Sequence, residues 1–294
     1  MKILNFGSMN LDYVYQVEHF VQPGETLAAL EQKAGPGGKG LNQSIAMARA
    51  GAEIWHAGCV GIGGERLEQL LKENQVHTEY LRRTDEIQGN AVIQVNPSGE
   101  NCILLYGGSN RAIIPKQITE TIENFEAGDY LVLQNEISCL EKIVEEAAKK
   151  GLRIVLNPSP FEENLHNLDY HKLSWLLVNE IEASQLTGKS EPDKVWSCLH
   201  AEYPKLNVVM TMGSQGAWCF TLRERIFQPA IQVKAVDTTA AGDTFTGYFL
   251  RGVTIGENLR ECMKQAAVAA ALSVARTGAS DSIPYWDEVE KHLK

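Results

Sequence analysis

The chain has 294 residues, 44% of them hydrophobic and 22% charged, a balance too apolar for disorder and ordinary for a globular protein. Its net charge of −10, with acid and base mixed along the chain, argues against nucleic-acid binding through a basic face, and an anionic substrate would need a local pocket of positive potential. The six scattered cysteines contain no C-x-x-C pair, which excludes a disulfide framework or a clustered zinc site; Met1–Phe6 lacks the long apolar region of a signal peptide, and the small-apolar run Ala266–Ala275 is far short of a membrane span. The expectation is a soluble cytoplasmic protein with reduced thiols and neither a nucleic-acid nor a membrane partner.

Ile3–Phe6 is a short apolar run ending at Gly7-Ser8 and predicts the first strand. Two segments then break α/β alternation. Tyr13–Val21 and Thr26–Lys33 read as strands around Pro23-Gly24, and Ala91–Val95 with Cys102–Tyr106 flank the turn Asn96-Pro97-Ser98-Gly99, a hairpin signal. Neither pair is read as leading into a helix; together they predict a discontinuous β lid at about 12–34 and 88–110. From Glu53 the elements alternate: strand Glu53–Val60, helix Glu65–Gln75, strand Tyr130–Leu133, then a helix opened by a Ser138–Glu141 capping box and ended by Gly151. Strands Arg153–Leu156, Trp175–Val178 and Asn207–Met210 follow, and helices Glu257–Ala275 and Tyr285–Leu293 close the chain. The pattern predicts an α/β protein with a mostly parallel central sheet covered by helices on both faces, as a single domain over 1–294.

In such sheets ligands bind beyond the carboxyl ends of the strands. The residues that fall there are Asn10 and Asp12, Asn135 and Glu136, Asn157, Asn179 and Glu182, and Thr211 with Gly213. Each is individually compatible with a turn or a helix cap; their repeated placement at one edge suggests a site. Gly35-Pro36-Gly37-Gly38-Lys39-Gly40 precedes a helical stretch with Leu41, Ile45 and Ala48, and reads equally as a flexible turn or a binding loop. Neither the Walker pattern nor the dinucleotide G-x-G-x-x-G fits, which disfavours an NAD-linked oxidoreductase.

Asp237-Thr238-Thr239-Ala240-Ala241-Gly242-Asp243-Thr244-Phe245 is the most informative stretch. Its small residues run straight into an amphipathic helix and expose backbone N–H groups, which stabilise the charge that develops during phosphoryl transfer. Asp243 in the first turn could take a proton from an acceptor hydroxyl, although an acid at a helix start is commonly a partner for the dipole. The pairing of a bare anion site with a carboxylate favours catalysis.

At these residues the chain resembles the ribokinase-type (phosphofructokinase-B) family of sugar kinases. Gly37-Gly38-Lys39-Gly40-Leu41-Asn42-Gln43-Ser44 is similar to its first signature and Asp237–Asp243, continuing to Gly247, to its second. Asn10-x-Asp12, Pro23-Gly24-Glu25-Thr26 and Arg276-x-Gly278-Ala279 extend the likeness from end to end. The resemblance implies a three-layer α/β/α fold with a β lid, and phosphoryl transfer from ATP to the primary hydroxyl of a pentose, D-ribose first. A nucleoside, deoxyribose, a ketohexose or a keto-deoxy sugar acid is the alternative acceptor, and a non-catalytic sugar sensor the alternative class. It implies Asp243 as base; Ala240, Ala241 and Gly242 as anion hole; and Asn10, Asp12, Gly38, Lys39, Asn42 and Glu136 as sugar ligands. It further implies Asn179 and Glu182 at the nucleotide, Glu182 near the Mg²⁺ of Mg-ATP, and Thr211-Met212-Gly213-Ser214-Gln215-Gly216 as nucleotide loop. A K⁺ activator would lie at Asp237, Thr239, Ser273, Arg276, Gly278 and Ser282, mostly on backbone carbonyls, and two lids would pair in a homodimer. Three positions depart from the pattern: the short loop Val60–Glu65, Tyr248 after Gly247, and Ala267 near the expected adenine position.

Overall fold

Ile3–Phe6 forms β1 at the middle of the molecule with all four residues buried, as an unbroken apolar run should on a strand covered on both faces. The computed structural model describes residues 1–294. β2 (Asn10–Gln16), β3 (Glu31–Gly37), α1 (Lys39–Arg49), β4 (Ile54–Ile62), α2 (Glu65–Glu73) and β5 (His77–Ile87) come next. Then follow β6 (Asn90–Val95), β7 (Asn101–Tyr106), α3 (Pro115–Ile122), β8 (Tyr130–Gln134), α4 (Leu140–Lys150) and β9 (Arg153–Asn157). β10 (Leu173–Asn179), α5 (Glu180–Thr187), α6 (Pro192–Glu202), β11 (Asn207–Thr211), β12 (Gly216–Phe220) and β13 (Arg225–Pro229) lead to α7 (Ala241–Thr254), α8 (Leu259–Val274) and α9 (Trp286–Leu293).

The nine-stranded central sheet has the order β13-β12-β11-β10-β9-β8-β1-β4-β5, parallel from β11 to β5, with β12 and β13 antiparallel at one edge. Alternate residues of each strand serve opposite cores. Ile3, Val132, Val155, Leu177 and Val209 join α1, α2, α7, α8 and α9 in a cluster of 34 buried residues. Leu4, Leu131, Ile154, Leu176 and Val208 face the other way into a cluster of 33, with α3, α4 and α6. Two cores of nearly equal size on one sheet make the three layers that strand–helix alternation predicts. The strand order reverses beside β1, which is flanked by β4 and β8, so the crevice for a ligand opens beyond their carboxyl ends. No helix is long and apolar enough to cross a membrane.

The second sheet has the order β3-β2-β6-β7. The β6–β7 hairpin lies where its turn predicts, but the first pair differs. β2 ends at Gln16 and β3 begins at Glu31; the register pairs Asn10 with Gly37 and Gln16 with Glu31. The turn at Pro23-Gly24 forms, closed by the Glu25 amide on the Gln22 carbonyl at 3.0 Å, but it lies within a long connection, 17–30, and not between paired strands. On its other edge β2 pairs with β6, parallel to it, so β2 lies inside the second sheet. β3 also runs through Gly38 directly into α1, contrary to the expectation that no helix follows.

The expected Ser138–Glu141 capping box does not form. Cys139 is the cap of α4, left-handed at φ 61 with no side-chain bond to the helix, and the Ser138 hydroxyl is buried without a partner. Gly151 ends α4 in the left-handed conformation, as its sequence position predicts.

Candidate active site

Glycine lets α1 begin close against the segment that follows β1. Gly38 has φ 94, and a Cβ on Gly40 would lie 2.3 Å from the Ser8 nitrogen. Ser8 Oγ donates to Glu136 Oε2 at 2.5 Å, and the same oxygen accepts the Lys39 amide at 3.1 Å. Glu136, just past β8, thus anchors the first turn of α1 and stands close to Lys39. Asn10 and Asp12 approach from β2. The Asp12 carboxyl lies over Gly37, where any Cβ would strike it. Burial, followed by repulsion from Glu136 and Asp243, pushes this carboxyl up to about 7, against the pull of Lys39.

Two amides that the sequence did not single out brace this corner. Asn110 receives the Met9 amide on Oδ1 at 3.0 Å and donates from Nδ2 to Asn10 Oδ1 at 2.7 Å. Gln88 donates to the Met9 carbonyl at 2.5 Å and accepts the Gly61 amide at 2.9 Å. Gln88 thereby fills the space behind the short Val60–Glu65 turn, where a Cβ on Gly64 would collide with its amide.

The other wall is the start of α7. Ala240 caps it at φ 59 without any side-chain hydrogen bond, and a Cβ on Gly242 would meet nothing within 4 Å. The Ala241 amide donates to the Thr238 carbonyl at 3.3 Å, and the Gly242 and Asp243 amides have no partner in the protein, which is the local requirement for holding an anion. Asp243 is only 9% exposed; its Oδ2 accepts from Asn42 Nδ2 at 3.1 Å and its Oδ1 from Gln43 Nε2 at 2.9 Å. Burial raises the Asp243 carboxyl above its ordinary value, offset in part by Lys39, Gln43 and Asn42. Burial acts to lower Lys39, but Asp243, Glu136, Glu182 and Asp12 outweigh it and hold the ammonium above its ordinary value. Lys39 is thus a secure positive charge in a chain of net charge −10.

A polar cavity of about 220 Å³ is lined by Lys39, Asp243, Gly242, Asn179, Glu182 and Thr211, among others. Asn10, Asp12, Asn42 and Glu136 lie outside its lining, so Lys39 and Asp243 stand on the boundary between two compartments. Asn179 and Glu182 form a capping box at the start of α5: Asn179 Oδ1 accepts the Ile181 and Glu182 amides, and Glu182 Oε2 accepts the Asn179 amide at 3.0 Å. Asn179 is therefore spent on the helix, whereas Glu182 keeps one oxygen beyond these bonds at the cavity. Met212–Gly216 is an open turn between β11 and β12, with Gly213 and Gly216 at positive φ; Ser214 and Gln215 are exposed and Met212 half-buried, and none of the three lines the cavity. Asn157, noted only as a polar residue after a strand, does line it. Asn135 instead donates to the Pro160 carbonyl and holds a loop.

Behind α7, segments 236–239 and 273–282 come together. Asp237 accepts the Thr239 amide on Oδ1 and the Gly278 amide on Oδ2, at 2.9 and 3.0 Å. Burial acts to raise its carboxyl, yet these bonds outweigh burial and leave it below the ordinary value. Ser273 and Ser282 share a buried hydroxyl–hydroxyl bond of 2.7 Å, while the Arg276 side chain turns away to Glu288. The donors here are carbonyl, hydroxyl and carboxylate oxygens, and no group of three His, Cys, Asp or Glu residues is placed to hold a metal ion. Such a set suits a hard, weakly charged cation better than a transition metal.

A model of the pfkB family of carbohydrate kinases matches residues 1–286. The chain belongs to that family. It is 35% identical to a ribokinase of Staphylococcus aureus, over 99% of each chain, and 31% identical to a deoxyribokinase of Salmonella typhimurium, over all of this chain and 99% of the other. Among solved structures it is similar to an Arabidopsis thaliana ribokinase complexed with ribose and ATP, at a TM-score of 0.83 and 29% identity over 99% of this chain and 98% of that one. The chain is therefore a carbohydrate kinase with the ribokinase-like fold. In this member of the family Tyr248 is buried and donates to the Pro284 carbonyl at 2.9 Å, which ties α7 to the segment before α9. Ala267 packs in the α8 side of the core.

Proposed function

We propose that this kinase transfers the γ-phosphoryl group of ATP to the primary hydroxyl of a furanose pentose, with D-ribose giving D-ribose 5-phosphate. The observation that carries the reading is Asp243: a buried carboxylate two residues beyond an uncapped helix start, on the border between a hydroxyl-binding corner and a phosphate-sized cavity. The sugar lies among Asn10, Asp12, Gly38, Lys39, Asn42 and Glu136, whose carboxylates and amides match several hydroxyls at once. Asp243 takes the proton of the reacting hydroxyl as its oxygen bonds to the γ-phosphorus and the bridge oxygen departs with ADP. The backbone of the Ala240-Ala241-Gly242 turn at the start of α7, with Lys39, holds the charge that develops on the moving group.

ATP dependence in this family implies a divalent metal such as Mg²⁺, which neutralises phosphate charge when bound; Glu182 is the carboxylate at the cavity able to hold it. The turn Thr211–Gly216 receives the nucleotide, with Met212, Gly213, Ser214 and Gln215 on its open side. The oxygens around Asp237, Thr239, Ser273, Gly278 and Ser282, with the Arg276 carbonyl, suit K⁺ as an activator that steadies the start of α7. The four-stranded sheet is the lid over the sugar, and its exposed β7 is the surface through which two copies pair. Buried thiols at Cys59, Cys219 and Cys262 accord with a reducing cytoplasm.

Two results test the reading. With Mg-ATP and K⁺, ADP release is expected to depend on ribose more than on deoxyribose, fructose, adenosine or ketodeoxygluconate; the deoxyribokinase likeness makes deoxyribose the acceptor to compare first. Asp243→Asn is expected to lower kcat by a factor on the order of hundreds or more with sugar affinity within a few fold, the pattern for loss of a general base. Near-normal turnover in that variant would move the base elsewhere. Sugar binding without turnover of any acceptor would identify a sensor.

A further inference from the structure

We infer that Gln43 is a positioning residue for the transfer: its amide aims the Asp243 carboxylate, and Gln134 dictates which way that amide faces. The inference rests on Asp243 serving as the base of the proposed kinase.

The orientation of each amide follows from its neighbours. Asn5, on β1, donates from Nδ2 to the Gly40 carbonyl at 2.7 Å and to Ser44 Oγ at 2.8 Å. A carbonyl only accepts, so Asn5 Oδ1 is left pointing at β8, where it accepts from Gln134 Nε2 at 3.0 Å. The second N–H of Gln134 goes to Gln43 Oε1 at 2.7 Å, which leaves the Gln43 NH₂ group facing Asp243. Asn157 reinforces the same choice: it donates to the Leu177 carbonyl and turns its Oδ1 towards Gln43 Nε2 at 3.4 Å. At the far end Ser44 Oγ, which accepts from Asn5, also shares a hydrogen bond of 2.8 Å with His56 Nδ1. A flipped Gln43 would set two oxygens against each other at Asp243 and lose the bond from Gln134. Asn5, Gln43 and Gln134 are fully buried, and Gln134 Oε1 has no partner. A leucine at 134 would avoid that desolvation penalty, so the glutamine stabilises something other than packing.

The charged groups facing Asp243 are Lys39 from α1 and Asp12 from β2, with Glu136 and Glu182 gathered around Lys39. The hydrogen bonds to the carboxylate come from Asn42 and Gln43 alone. Removing one of them weakens the charged form and loosens its aim.

The test compares Gln43→Met, Gln134→Leu and the double variant. Gln43→Met is expected to lower kcat by about 30-fold with sugar affinity within about threefold, and to move the acid limb of the kcat profile up by about one pH unit. Gln134→Leu acts in the same direction by about fivefold and adds nothing in the Gln43→Met background, because it acts through Gln43. Gln43→Glu keeps the side-chain shape, so it serves if the methionine variant does not fold; its carboxyl beside Asp243 is expected to raise the acid limb further. In ¹³C-aspartate-labelled protein the Asp243 carboxyl resonance, assigned by its loss in Asp243→Asn, is expected to titrate higher in both Gln43 variants without any turnover. Additive losses, or an Asp243 titration and pH profile unchanged from wild type, would overturn the inference. No sugar-dependent turnover in the wild type would instead overturn the kinase reading.

Discussion

Asp12 has two carboxylates and one ammonium for neighbours, and its protonation follows from that company. With its carboxyl held near pH 7 instead of the 3.8 of an unhindered aspartate, the folded protein binds a proton more tightly than the unfolded chain. The stability linked to that proton is complete below about pH 4 and is lost as the pH rises through about 7. Asp12→Asn is expected to melt a few degrees above wild type at about pH 8, a difference that closes towards pH 4 in thermal scans. In the proposed sugar site, hydroxyls would relieve the same penalty by donating to the anion, so ribose affinity measured calorimetrically should rise about tenfold from pH 6 to 8 and flatten in Asp12→Asn. Residues of this kind were legible in the sequence because they sit in motifs: Asp243, Lys39 and Asn42 each lie within a few positions of a glycine that fixes the local backbone. Gln88, Asn110 and Gln134 were not, since their partners are 79, 101 and 91 residues away. An amide far from any motif reads as surface or loop until the fold brings its partner to it.

The elements that carry the site meet where a residue without a side chain permits it. A Cβ on Gly247 of α7 would lie 2.4 Å from Ala46 Cβ and 2.8 Å from the Met47 nitrogen of α1, so the two helices cross in near backbone contact. Asn42 and Gln43 project from α1 and Asp243 from α7, four residues before the crossing. Gly247→Val is expected to cost about 3 kcal/mol in urea unfolding, because backbone and not a flexible side chain must move, and to weaken turnover beyond the stability loss. Strands of the parallel sheet were readable as short apolar runs, whereas β5 was not: half of its side chains face solvent, and its polar composition hides it. The β12–β13 hairpin carries no Asn-Gly or Pro-Gly turn and was missed for that reason. The expected Ser138–Glu141 box is absent, whereas Asn179–Glu182, read as a nucleotide motif, forms a capping box at the start of α5.

At the scale of the whole molecule, the second sheet leaves β7 exposed along its length, with Leu104 71% and Ile103 55% accessible. An unpaired edge with such residues is the kind of surface that a second copy covers. Sedimentation at micromolar concentration is expected to give a dimer for wild type and a monomer for Leu104→Lys; a monomeric wild type would remove the dimer from the proposal. The hydrogen bonds that seat Asp243, the proposed base, join residues 200 and 201 positions apart. They join α1, which leads into the β4–β5 wing of the sheet, to α7, which follows the β8–β13 wing, and the two helices meet at the Gly247 crossing. The β8–β13 wing with α7 carries Asp243 and all of the cavity lining except Lys39, but the hydrogen bonds that aim Asp243 come only when Asn42 and Gln43 of α1 arrive. Closing so long a loop is among the slower events available to a chain of this size. Catalytic competence here reports that the two ends of the chain have been brought together.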